Sequence, residues 1–187
     1  MHDTPRAART RHDGVTILLH WLTAGLVVIQ FASAELWDFF PHSQKRFLII
    51  MHMSLGVALL AVLILRILWR LIPGHALHDD ATGLPAQAAR AMHYLLYTLL
   101  AAQMPLGFFT AWTKNHPLDV FGLLVGSPIG PCSKTTAYVV DQIHDINAWV
   151  IMGLAAAHAL VALAHHFWWR DDVLRRMLPL RQRQPKA

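Results

Sequence analysis

Apolar residues along this chain neither alternate nor recur on a single helical stripe. They run in four blocks: 15–34 (VTILLHWLTAGLVVIQFASA), 47–65 (FLIIMHMSLGVALLAVLIL), 91–112 (AMHYLLYTLLAAQMPLGFFTAW) and 146–169 (INAWVIMGLAAAHALVALAHHFWW). None of the four contains Asp, Glu, Lys or Arg. Each has about the 20 residues that a helix needs to cross the hydrocarbon core of a bilayer. Lipid offers no partners for backbone N–H and C=O groups, so such blocks are expected to be helical. The pattern predicts an all-α integral membrane four-helix bundle, with residues 1–187 forming one transmembrane domain. The fourth helix is expected to start before its apolar block, near 138. Pro105 is expected to kink the third helix, because proline removes one backbone bond.

Basic residues set the orientation. Arg6, Arg9 and Arg11 precede the first block. Arg66, Arg70 and Arg90 fall in the second connection. Arg170, Arg175, Arg176, Arg181, Arg183 and Lys186 follow the fourth block. The other two connections hold Lys45, Arg46, Lys114 and Lys134. This bias predicts that the N- and C-termini are both cytoplasmic. It also accounts for the net charge of +5, which therefore does not point to nucleic acid. Ala32-Ser33-Ala34 resembles a signal-peptidase site, but the apolar run is long for a signal and carries a His-Trp pair that a disposable segment does not need.

Composition agrees. The chain is 55% hydrophobic and only 14% charged, whereas soluble domains carry about 25% charged residues. Cys132 is the only cysteine, which excludes an intramolecular disulfide and a C-x-x-C-H site for covalent haem attachment.

The unusual feature is histidine. Thirteen are present, and His20, His52, His93, His158, His165 and His166 fall inside the blocks, with His144 at the mouth of the fourth. Ionisable side chains are costly in a membrane and are usually functional. His144 and His158 are fourteen residues apart, so on a helix they share nearly one face and stand about 21 Å apart. Depth counting puts His52 and His144 in the outer half of the bilayer and His20 and His158 in the inner half. Two cross-helix pairs follow, and facing imidazoles suit the two axial positions of a haem iron held between helices. On the inner side, His93 and His165 compete as ligands, and the counted depths of His20 and His158 differ by about 8 Å. Gly25, Gly56 and Gly153 leave room for a flat macrocycle, or for close helix packing. Arg66 and Arg70, one turn apart, are candidate contacts for inner haem propionates.

The motifs LLHW (18–21), MHMSLG (51–56), MHYLLY (92–97), H-x13-H and ALAHHFWWRDDVLRRMLP (162–179) resemble the bacterial cytochrome b561 family. The resemblance covers roughly residues 12–180. It implies a multi-pass protein of the bacterial inner membrane, with two haem b groups ligated by His20, His52, His144 and His158. It also implies electron transfer with quinone as the usual partner, and ubiquinone as the expected substrate. The stretch NHPLDVFGL (115–123) is similar to the branch that oxidises superoxide. Lys45, Arg46, Lys114 and Lys134 lie in the outer connections, where cations would raise the local concentration of a small anion.

Three functions remain open on the sequence. The first is a dihaem oxidoreductase linking a periplasmic donor, superoxide or a periplasmic redox protein, to membrane quinone. The second is a cytochrome b anchor subunit for a separate redox partner. The third is a histidine-lined metal or proton transporter, disfavoured by the lack of intramembrane carboxylates.

Overall fold

The four apolar blocks each become one long helix in the computed structural model, which describes residues 12–72, 83–130 and 132–178. The helices are α1 (Gly14–Leu36), α2 (His42–Leu71), α3 (Leu84–Thr113) and α4 (Lys134–Ala164). All four are long and apolar enough to cross a membrane. A 3-10 turn, Trp37–Phe39, joins α1 to α2, and α4 runs on into a π-helical turn, His165–Trp169. Helix α3 continues through Pro105 without interruption. Arg6, Arg9, Arg11, Arg181, Arg183 and Lys186, half of the basic residues behind the expected orientation, lie outside the described residues.

Every helix overruns its apolar block, and this corrects the placement of the charges. Arg66 and Arg70 are in the last two turns of α2, Arg90 is in the second turn of α3, and Lys45 and Arg46 open α2. Helix α4 begins at Lys134, four residues before the expected start. The apolar run marks only what hydrocarbon demands. The backbone keeps its helical bonds beyond that point, and long basic side chains can extend their charge to the interface while their stems stay apolar.

Packing is dense within two helical hairpins, α1–α2 and α3–α4, and sparse between them. The few fully buried apolar residues include Leu59 and Leu63 of α2, Leu100 of α3 and Ile151 of α4. Leu63, Leu100 and Ile151 form a mid-bundle layer that Val27 of α1 borders. Most other large apolar side chains on the helices are exposed, as a lipid-facing surface requires. The hairpins are fastened at their ends. Asp13 caps α1, its carboxylate accepting from the Thr16 amide at 2.9 Å, and it also accepts from Trp69 Nε1 on α2 at 3.0 Å. Trp21 donates to the Met177 carbonyl at 2.8 Å, tying the C-terminal segment to α1.

The α3–α4 connection holds a structure that the hydropathy pattern does not announce. Strands β1 (Leu118–Val120) and β2 (Leu123–Val125) pair antiparallel, with Val120 opposite Leu123. The two-residue turn has positive φ at Phe121 (52°) and Gly122 (87°), the sign pattern of the tight I′ hairpin turn. A phenylalanine in that region is strained and needs outside support. Ser54 of α2 supplies it. Its hydroxyl, fully buried, donates to the Ile50 carbonyl at 2.8 Å and accepts from the Phe121 amide at 2.8 Å. Replacing Ser54 by Ala leaves that amide unpaired, at a cost of about 1–3 kcal/mol. Thermal unfolding in detergent is expected at a lower temperature for Ser54→Ala, with faster hydrogen exchange at the Phe121 amide. Unchanged exchange there would show that the serine does not hold the turn.

Candidate functional site

His144, Ile151 and His158 recur every seven residues on α4 and so share one face, with steps of about 10.5 Å. That face meets the other hairpin. The His144 ring stands opposite His52 of α2, with centroids 6.5 Å apart and planes at 79°. The His158 ring stands opposite His20 of α1, with centroids 6.5 Å apart and planes at 70°. Ile151, 3% exposed, lies between the pairs in the apolar layer. Both pairs therefore straddle the loosely packed gap between the hairpins.

The spacing has a chemical meaning. Two metal–imidazole bonds of about 2 Å, each backed by about 1.1 Å of ring, put trans ligand centroids about 6.2 Å apart. Both pairs match that figure, and rotation about the bond axis leaves the angle between the planes free. The donor set fits the two axial positions of a haem iron. Gly25 and Gly153 are exposed, with nothing within 4 Å of a built Cβ. Gly153 lies about 200° round α4 from Ile151, on the face away from the histidines, so the expected room for a macrocycle is not on the paired face. Gly56 serves another purpose: a Cβ would lie 2.9 Å from Gln30 Nε2, so the glycine makes room for a side chain and not for a macrocycle.

The His52–His144 end is held by amides. Gln30 of α1 donates to the His52 carbonyl at 3.0 Å, and Gln103 of α3 donates to the His144 carbonyl at 3.1 Å. Asn147 donates to Gln103 Oε1 at 2.6 Å and fixes its orientation. Gly107 lets the His144 ring approach, since a Cβ would be 3.2 Å from its Cε1. His144 Nδ1 is buried without a hydrogen-bond partner. Ser33 Oγ lies 3.1 Å from His52 Nδ1. None of these supporting residues was singled out from the sequence. Gln30 and Gln103 were nonetheless legible as strongly polar side chains in apolar blocks, where an unpaired amide is expensive. Ser33 was masked by its likeness to a cleavage site.

The His20–His158 end is more crowded. The His93 ring is 5.2 Å from that of His158, closer than His20, so three imidazoles gather where two were expected. Arg66 donates to His20 Nδ1 at 3.0 Å, its guanidinium stands 5.1 Å over the Tyr97 ring, and its Nε is buried without a partner. Arg70, one turn on, is exposed, and its charge still acts on Arg66 and His93. His165 is engaged elsewhere, its Nδ1 lying 2.5 Å from Asp171 Oδ2 and its ring 4.7 Å from that of Trp169. His166 contacts Phe167. The depth mismatch of about 8 Å expected between His20 and His158 closes, since the two rings face each other with centroids 6.5 Å apart.

The expected cationic outer surface is partly neutralised. Lys45 pairs with Asp38, and Lys114 pairs with Asp141 at 2.8 Å. Arg46 and Lys134 are exposed and, among the described residues, in no such pair. Lys114, Lys134, Tyr138, Asp141 and Cys132 line an open cavity of about 440 Å³, and His144 follows Asp141 by less than one turn of α4. Among the described residues, no group of three or more His, Cys, Asp or Glu is placed to hold a bare metal ion, so the transporter reading gains nothing.

Four membrane-spanning helices with facing imidazoles in the gap between two hairpins define a membrane b-type cytochrome. Residues 11–180 match the family model described as prokaryotic cytochrome b561, and the chain belongs to that family. It is 30% identical over 175 residues to cytochrome b561 homolog 2 of Escherichia coli (strain K12), covering 90% of this chain and 91% of that protein. It is 30% identical over 179 residues to cytochrome b561 homolog 1 of the same organism, covering 92% and 99%. It is 28% identical over 170 residues to the probable superoxide oxidase CybB of Yersinia pestis, covering 90% and 96%. The chain is thus a multi-pass, haem b-binding electron-transfer protein of the membrane.

One local bond at the terminal end is testable without haem. Slight burial raises the pKa of Asp171, but the hydrogen bonds from His165 and the Val173 amide outweigh it and hold the carboxyl below its ordinary 3.8. A depressed pKa means that the bonds contribute fully above 3.8 and are lost as pH falls through the lower folded value. NMR titration of the Asp171 carboxyl carbon is expected to show a midpoint below 3.8. A midpoint at or above that value would contradict the pairing.

Proposed function

We propose that the chain is a dihaem b cytochrome moving electrons between a periplasmic donor and the membrane quinone pool. His52 and His144 ligate the outer haem, and His20 and His158 the inner one. The observation that carries this reading is the pair of 6.5 Å imidazole separations across the hairpin gap. Both termini face the cytoplasm of the bacterial inner membrane, as the basic residues that follow α4 favour. When bound, haem would supply one-electron redox chemistry, and Ile151 would stand between the two histidine pairs that would hold it.

The polypeptide supplies position and charge. Ligation through His20 Nε2 requires the proton on Nδ1, so Arg66 must release that nitrogen. The Arg66 guanidinium would then be the group placed to pair with a propionate. Arg70, exposed at the end of α2, can serve a propionate only at the rim. Outside, superoxide is the preferred donor, as the likeness to a probable superoxide oxidase supports. Two superoxide anions give up one electron each and leave as O2. One ubiquinone takes the two electrons and two protons to become ubiquinol. Arg46 and Lys134 attract the anion, while Asp38 and Asp141 cancel most of the pull of Lys45 and Lys114.

A second reading is an anchor for a separate periplasmic redox protein. The exposed apolar edge Phe121, Leu123 and Leu124, 64–69% exposed, favours it as a docking patch.

Stopped-flow spectroscopy separates the two. Superoxide alone is expected to reduce the haem, with reoxidation only when ubiquinone is present. The rate should fall as salt rises. Lys134→Gln should slow reduction by about twofold to tenfold, with a smaller effect for Lys114→Gln. Haem that stays oxidised in superoxide would exclude it as donor and favour the anchor reading.

A further inference from the structure

The two outer histidines are gripped alike at the backbone and differently at the ring. Gln30 on α1 and Gln103 on α3 each donate to the carbonyl of the histidine on the next helix. Three residues beyond Gln30, on the same face of α1, stands Ser33. Three residues beyond Gln103 stands Leu106. The serine hydroxyl has a single proton, and its oxygen lies 2.9 Å from the Gln30 backbone carbonyl, which can only accept. With that proton committed, the oxygen 3.1 Å from His52 Nδ1 is left as an acceptor. The chain of bonds runs from His52 Nδ1–H to Ser33 Oγ, and from Ser33 O–H to the Gln30 carbonyl. It puts the proton of His52 on Nδ1 and leaves the Nε2 lone pair available for a metal. His144 has no such support at Nδ1, which is buried and unpartnered, and its ring is met instead at Nε2, 3.4 Å from Gln103 Nε2.

We propose that Ser33 is a positioning residue that fixes His52 in its Nδ1–H form and, through that bond, sets the reduction potential of the outer haem. The proposal rests on His52 being a haem ligand. A hydrogen bond accepted from the far nitrogen of a ligating imidazole makes the ring a stronger donor. A stronger donor favours oxidised iron and lowers the potential. His52 thereby becomes the stronger and His144 the weaker ligand of one iron, an asymmetry that the matching glutamine grips do not show.

The test is a potentiometric titration of the purified haem-loaded protein, following the α-band. In Ser33→Ala both haems are expected to remain, with one potential raised and the other as in the parent. At a fixed poise near the parent midpoint, the reduced-to-oxidised ratio of that haem should rise by about twofold to tenfold, the worth of one hydrogen bond. Ser33→Thr keeps the hydroxyl and should restore the parent value, which a purely structural role would not predict. If Ser33→Ala sheds haem, Ser33→Cys, with its weaker acceptor, carries the same titration. Potentials unchanged in the Ala variant, or in the Cys variant where Ala sheds haem, would overturn the role of Ser33. His52→Ala separates the two levels. It should drop the haem-to-protein ratio by half, whereas a full ratio would overturn the ligand assignment itself and this inference with it.

Discussion

An imidazole inside an apolar bundle must face something that repays its burial, and that requirement organises this molecule. Four such rings meet in two pairs across a gap that the helices do not close by themselves. Within each hairpin the helices pack tightly; between the hairpins, contact is thin except at the Leu63–Leu100–Ile151 layer. The gap is thus divided by that layer into two chambers, one with a ring on either wall and one with His20 facing both His158 and His93. The arrangement suits a haem b-binding family, in which bound cofactor would complete the core with its own apolar surface. It also explains why so few residues are fully buried by protein alone.

The two chambers are built differently. At the hairpin end, glutamine amides hold the backbone of His52 and His144, glycine clears the way for the His144 ring, and serine directs the His52 proton. A donor also faces a ring nitrogen there, since Gln103 Nε2, which can only donate, lies 3.4 Å from His144 Nε2. At the terminal end, Arg66 occupies His20 Nδ1 and His93 crowds His158. An imidazole there could serve a metal through Nε2 only if the guanidinium gave up Nδ1. The two ends differ in the groups that meet their rings, a guanidinium at one and amides and a hydroxyl at the other, and the single face of α4 joins them.

The helix count and the four paired histidines were legible because both follow from period and depth. A run of about 20 apolar residues has one use in this setting, and fourteen residues on a helix return to nearly the same face. Helix ends were not legible, since hydropathy reports the lipid boundary while the backbone continues through the polar interface to Arg70 or Lys134. The β1–β2 hairpin is too short to leave a hydropathic trace, and its turn depends on a serine 67 residues away. The neighbours of each ring were hidden for a related reason. Spacing tells which face a residue occupies, but not that His165 turns to Asp171 while His93 turns to His158. Gln30 and Gln103 carried a signal in their cost, although their partners are backbone carbonyls that no motif marks.

Haem stoichiometry tests the central claim most directly. A pyridine haemochrome assay on the purified, full-length protein, set against its amino-acid content, is predicted to give two haem b per chain. The reduced-minus-oxidised spectrum should carry a b-type α-band. One haem per chain would contradict the two-chamber arrangement, and a spectrum without that band would contradict ligation by either pair.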